Sequence, residues 1–202
     1  MKIRSQAVLP TVLVIVLSAC SEFAPRGSAS APTSASPEVR SSGVAVEARQ
    51  HLSGRFIALI GPKAQHAPPY LDTAGTNFYC LRSLIDRQTG ETVDQLYVSD
   101  SYDGVARNWD GAHDTAGRSL RFIPVSRHQI ACDNTCSYVE EFAADIPESE
   151  LRANPTGYTV IFTDRAGDQK TISLSADQIS AQLTALDAKR VAASSPSASA
   201  PP

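Results

Sequence analysis

The sequence predicts a mainly β (α+β) domain, an antiparallel sheet or β-sandwich of six to eight strands with a short helix near 147–153 and a C-terminal helix near 176–190. Three observations carry this. Runs of β-branched, aromatic and apolar residues alternate with short spacers, the spacers hold the Gly, Asp and Asn that turns require, and only the last stretch has a helical period.

In chain order, RFIALIG at 55–61 reads as a strand and PKAQHAPPY as a Pro-rich loop. TNFYCLRSLID and TVDQLYVSD are separated by Arg87-Gln88-Thr89-Gly90-Glu91, with Gly where a positive φ is needed, and form a hairpin. SLRFIPVSRHQIA and CSYVEEFAADI flank Asp133-Asn134-Thr135, and GYTVIFTD and KTISLS flank Arg165-Ala166-Gly167-Asp168-Gln169. These make two further hairpins. Pro124 lacks a ladder donor, so its strand lies at an edge or is bulged there.

Pro147 and the acids Glu148 and Glu150 suit the first turn of a short helix. In SADQISAQLTALDAKR, Ser175 and Gln178 have capping-box spacing, and Ala176, Ile179, Leu183 and Leu186 recur on one face, to be packed on the sheet. Lys189 and Arg190 near its C-terminus complement the helix dipole.

The chain opens MKIRSQAVLPTVLVIVLSACSE, with Lys2 and Arg4 ahead of an apolar run too short for a bilayer-spanning helix of about 20 residues. This is a secretory leader. Its end, Leu17-Ser18-Ala19-Cys20, resembles the lipobox of bacterial lipoproteins, which implies acylation of Cys20; a plain leader ending in an incidental cysteine is the alternative. An acylated Cys20 makes the membrane a partner, since each buried methylene contributes about 0.8 kcal/mol. Ser21, where an Asp would favour inner-membrane retention, points to the outer membrane, with the domain in the periplasm or at the surface.

The expected organisation is a lipoprotein signal at 1–19, a lipidated cysteine and Ser/Pro/Ala tether without fixed structure at 20–50, one β-rich domain at 51–189, and a similar tail at 190–202. Lys and Arg number 18 against 21 Asp and Glu, for a formal net charge of −3, and the leader takes Lys2 and Arg4 away with it. That balance argues against a nucleic-acid partner, which needs a clustered basic face.

If Cys20 is acylated, Cys80, Cys132 and Cys136 remain. Facing residues of an antiparallel pair have Cα atoms about 4.5 Å apart, within disulfide reach, and the short turn at 133–135 makes Cys132 and Cys136 face each other. Pairing Cys80 instead closes a loop of about 53 residues, worth about 4 kcal/mol against about 2 kcal/mol for the short loop. Geometry decides for Cys132–Cys136, with Cys80 as a buried small hydrophobe. A zinc site from these cysteines with His66, His113 or His128 lacks the second close-set ligand pair, and the spacing is not that of a CxxC redox motif.

The segment DSYDGVARNWDGAHD at 100–114 concentrates four aspartates with the only tryptophan. Tyr102, Asp103, Trp109, Asp110, His113 and Asp114 make a candidate binding loop for a sugar, a peptide or Ca²⁺. The competing reading has Tyr102 and Trp109 plugging the sheet while the aspartates solvate a turn. No G-x-S-x-G elbow, HExxH or phosphate loop appears, so no residue is assigned to catalysis or to a metal, and no cofactor is implied. Glu140 and Glu141 are adjacent, so strand alternation lets at most one face a given pocket.

The runs DRQTGETVDQLYVSDSYDG, ARNWDGAHDTAGRSL and CDNTCSYVEEFAADIPESELR resemble small uncharacterised proteobacterial envelope proteins. The likeness covers about residues 76–186. It implies one β-rich domain and transfers no catalytic residue. The function expected is a non-enzymatic, lipid-anchored envelope domain, binding or structural, with an envelope protein or glycan as partner. The alternative is a periplasmic hydrolase-like or carbohydrate- or peptide-binding domain working through His113, Asp110 and Asp114.

Overall fold

Pairs of strands joined by short turns build the molecule outward from its middle. The computed structural model describes residues 39–41, 44–51 and 54–194; the leader, Cys20, residues 21–38 of the tether and residues 195–202 lie outside them. The strands are β1 (Val39–Ser41), β2 (Val44–His51), β3 (Phe56–Ile60), β4 (Ala64–Gln65), β5 (Phe78–Asp86), β6 (Thr92–Asp103), β7 (Trp109–Asp114), β8 (Phe122–Cys132), β9 (Cys136–Ile146), β10 (Gly157–Asp164) and β11 (Gln169–Ser175). The helices are α1 (Glu148–Ala153) and α2 (Ala176–Ser194), with a 3₁₀ turn at Tyr70–Asp72.

An eight-stranded sheet has the order β1-β2-β3-β5-β6-β9-β8, with β4 beside β5, and a three-stranded sheet has the order β11-β10-β7. All pairings are antiparallel. The three hairpins expected from the sequence are β5–β6, β8–β9 and β10–β11. The fold is therefore mainly β with a C-terminal helix.

Three turns are clamped by the same device. Asp86 Oδ1 accepts Gln88 N at 2.8 Å; Asp114 Oδ1 accepts Ala116 N and Arg118 N, each at 2.9 Å; Asp164 Oδ1 accepts Ala166 N at 2.9 Å and Asp168 N at 2.8 Å. The short carboxylate replaces missing backbone partners, and the following Gly90, Gly117 and Gly167 take the positive φ that closes each turn.

Pro124 meets both conditions set for it: β8 pairs only with β9, and its register slips between Pro124 and Ser126. Cys132 and Cys136 are directly opposed, 3.9 Å apart at Cα, and disulfide-bonded. Cys80 is buried in β5, outside that bond.

The folded region begins earlier than residue 51. β2 pairs along β3 from Glu47 to His51 and buries Val46, because the apolar edge of β3 offers a complete ladder to a segment whose Ser/Pro-rich neighbours hid its alternation. Likewise α2 runs past residue 190 to Ser194.

Leu81, Leu96, Val98 and Phe142 of the large sheet pack against Val160, Phe162, Ile172 and Leu174 of the small one. Phe142 and Phe162 meet edge to face with centroids 4.9 Å apart, a geometry that adds to their area burial. The N-terminal half of the sheet is covered by α2, whose Ala181, Ala185 and Leu186 meet Val46 and Leu59.

The capping box forms as expected, Ser175 N donating to Gln178 Oε1 at 2.9 Å and Gln178 N to Ser175 Oγ at 3.3 Å. The buried face is rotated from the predicted one: Ala176 is exposed, and Gln182 is fully buried, donating to Leu59 O and Ser83 Oγ. Gln182 thus ties α2 to β3 and β5 through its amide N–H groups, while its Oε1 is buried without a hydrogen-bond partner among the described residues. Arg190 bonds Glu148, which also pairs with Arg152 at 2.7 Å, fastening α2 to α1.

Candidate functional site

The segment singled out as a loop is two strands and a tight crossing. Residues 100–103 finish β6, 109–114 are β7, and only 104–108 connect them. The crossing turns at Gly104 and at Asn108, which holds φ +58°, a left-handed conformation that Asn tolerates better than most residues.

Six candidate residues divide three ways. Tyr102 and Trp109 are buried and brought together around Arg107, whose guanidinium carbon lies 4.1 Å from the Tyr102 ring centroid and 5.8 Å from that of Trp109. Asp103 and Asp110 stay at the surface, Asp103 accepting the Tyr70 hydroxyl at 2.5 Å and Asp110 pairing with Arg165 at 3.5 Å. Asp114 is buried in its own turn and bound by Arg118 Nε at 2.6 Å, while His113 Nδ1 lies 2.9 Å from Asp114 O. Asp110 and Asp114 therefore engage different arginines from opposite ends of β7, and the three residues of the hydrolase alternative do not converge. Among the described residues no group of three or more His, Cys, Asp or Glu is placed to hold a metal ion.

The structure assembles two carboxylate centres that the sequence did not reveal. The first is Asp100, 2% exposed on β6. Arg107 Nη1 and Trp109 Nε1 donate to its Oδ2 at 2.9 and 3.2 Å, and Lys170 Nζ from β11 lies 3.0 Å from Oδ1. This ties the crossing and the small sheet to the large one. Behind Lys170, His66 Nε2 lies 2.9 Å from Ser99 O, which fixes that nitrogen as the donor and leaves Nδ1 as acceptor, 3.5 Å from the ammonium. Burial, reinforced by the neighbouring Lys170 charge against the Ser99 bond, holds the His66 pKa below its ordinary value, so the ring is neutral near pH 7.

The second is Glu140, 5% exposed on β9. Its Oε1 accepts the Tyr102 hydroxyl and Asn108 N, the latter at 3.0 Å, and among the described residues its Oε2 accepts only Trp109 N at 3.3 Å. Burial, with the Glu140 bond, pushes the Tyr102 hydroxyl pKa upward, which keeps it a donor. Arg127 sits opposite Glu140 in the β8–β9 register, but its guanidinium donates to Asn108 Oδ1 instead.

Glu140 borders a cleft of about 540 Å³. At one end the small sheet is joined to the approach to β8: Leu120 N donates to Ala112 O at 2.9 Å, and the chain then enters β8. Trp109 and Asp110 on one side and Pro124 to Arg127 on the other bound the gap, with Phe122 and Phe142 at its base and Arg165 at its rim. Glu141 also borders it, contrary to simple alternation; it lies in the middle of β9 where the register with β8 slips between Pro124 and Ser126, and Ser126 Oγ donates to its Oε2 at 2.6 Å.

Comparison with protein-family models, with curated proteins and with solved structures finds no match to this chain.

Proposed function

We propose that this protein is a lipid-anchored binding domain of the bacterial cell envelope, held to the membrane through acylated Cys20 and taking a glycan or protein segment into the cleft between the two sheets. The observation that carries the binding reading is the cleft itself, of a size that suits ligand sites and lined by five apolar residues, Trp109, Phe122, Pro124, Val125 and Phe142, among seven polar or charged ones. Anchoring rests on the Leu-Ser-Ala-Cys end of the leader, and Ser21 favours the outer membrane. The hydrolase alternative is weaker, because the Asp114 carboxylate is committed to its own turn and to Arg118.

Two measurements test the two halves. Cys20→Ala is expected to abolish fatty-acid labelling and move the protein from the membrane to the soluble fraction; a mutant that stays membrane-bound defeats the anchor. Trp109 is the single tryptophan, so its emission reports on the cleft. Titration of the full chain in detergent with envelope oligosaccharides and with peptides is expected to shift that emission for at least one class, and silence from both defeats the binding reading.

A further inference from the structure

The cleft also selects its ligand by charge, an inference that rests on the binding reading above. We infer that it takes an organic cation, an ammonium or guanidinium group on an aliphatic stem, with the Glu140 carboxylate as the anchor.

Glu140 is buried, yet among the described residues no Lys, Arg or His pairs with it; its donors are one hydroxyl and two backbone N–H groups. A carboxylate has about four lone-pair sites, and Oε2 receives a single bond of 3.3 Å. Its register partner on β6 is Asp100, so a second buried carboxylate stands directly across the ladder, an arrangement that is unfavourable unless compensated. Arg107 and Lys170 compensate Asp100. Among the described residues no ion pair serves Glu140, although it borders a cleft open to solvent.

The surroundings favour the same class. Asp110 and Glu141 add acidic groups at the rim, where Arg165 pairs with Asp110 and Arg127 keeps its charge while bonding the neutral Asn108 amide, so three carboxylates stand against two guanidiniums. Trp109, Phe122 and Phe142 supply a floor on which an aliphatic stem buries and toward which a cation is attracted. With three carboxylates against two guanidiniums, the lining carries one net negative charge, which favours a cation over an anion.

The test uses Trp109 emission of the full chain in detergent with four probes: n-butylammonium and three blocked tripeptides, Ala-X-Ala, where X is lysine, norleucine or glutamate. Saturable binding is expected for the lysyl peptide, with no saturation by the norleucyl or glutamyl peptides, and affinity should fall with added salt. Equal affinity for n-butylammonium identifies a free amine as sufficient, and at least tenfold tighter binding of the peptide identifies a peptide side chain as the source. Glu140→Gln, with its fold checked by circular dichroism, should weaken lysyl binding about 10-fold or more, and the surface variant Asp110→Asn about 2- to 4-fold. Saturation by the glutamyl or norleucyl peptide but not the lysyl one overturns the charge inference and leaves a binding cleft. Lysyl affinity unchanged by Glu140→Gln, or no response to any cationic probe while envelope fragments do shift Trp109, overturns it as well.

Discussion

Asp100 and Glu140 face each other across β6 and β9, are almost equally buried, and touch the two ends of the same residue, Asp100 accepting the Trp109 indole and Glu140 its backbone N–H. Their surroundings differ in one respect. Asp100 has gathered Arg107 from the crossing and Lys170 from the other sheet, so its charge is closed into the fold. Glu140 has neutral donors on one side and the cleft on the other. The contrast separates a carboxylate that holds two layers together from one held ready for something outside the chain, although both satisfy the rule that buried polar groups find partners.

The largest effect should come from breaking the closed centre. Asp100→Ala leaves two cations and an indole N–H without their acceptor, and is expected to cost about 3 to 5 kcal/mol in urea unfolding. A loss below about 1 kcal/mol would mean that Lys170 and Arg107 find water instead, and the contrast would lose its first half.

A third buried carboxylate sharpens the comparison through pH. Asp94, 3% exposed, is pushed up to about 6 by burial, against the Ser83 hydroxyl it accepts and with Glu148 nearby. Its folded value lies above its unfolded one, so the stability it contributes is present below the ordinary Asp range and lost as pH rises through about 6. Asp94→Asn should therefore match the parent near pH 4 and exceed it by about 2 kcal/mol at pH 7.5, read from denaturation at both values. His66 has the opposite sign: its lowered value makes stability fall as pH drops below the ordinary His range. An Asp94→Asn variant with no pH-dependent advantage would show that its carboxyl is hydrated.

The smallest effect is expected at the open centre. Glu140→Gln keeps an acceptor for Asn108 N and removes a charge facing Asp100, but replaces the oxygen that accepts Trp109 N at 3.3 Å with an NH2 group; these effects oppose each other, so stability should change by less than about 1 kcal/mol, in either direction. Destabilisation comparable to Asp100→Ala would identify Glu140 as structural.

Much of this architecture is local and was legible. Each of the three predicted hairpins carries its turn between its own strands, Pro124 announces an irregular edge through its missing N–H, and Ser175 and Gln178 cap α2 within a few residues of each other. The Cys132–Cys136 bond follows from the same locality, since a three-residue turn sets those Cα atoms face to face. The candidate loop was legible only in part. Its composition marked Trp109 and Asp110, which border the cleft, but it also marked Asp114, whose role is to clamp a turn. An Asp followed three residues later by Gly occurs again at Asp164, and that recurrence was the available clue to the turn role.

What the sequence by itself determined is the three hairpins, the strand at 55–61 and the two helices, because helix caps, turns and strand alternation depend on neighbours within a few residues. Only the tertiary structure decided which charges meet. Lys170 reaches Asp100 from a strand 70 residues away in the other sheet, Gln182 reaches Ser83 across the helix–sheet interface, and Glu140 is left facing a cleft while Glu141 beside it bonds Ser126. The physical reason is that a carboxylate carries no local record of its partner: whether it closes on a cation or stays open is set by which layer the fold lays over it.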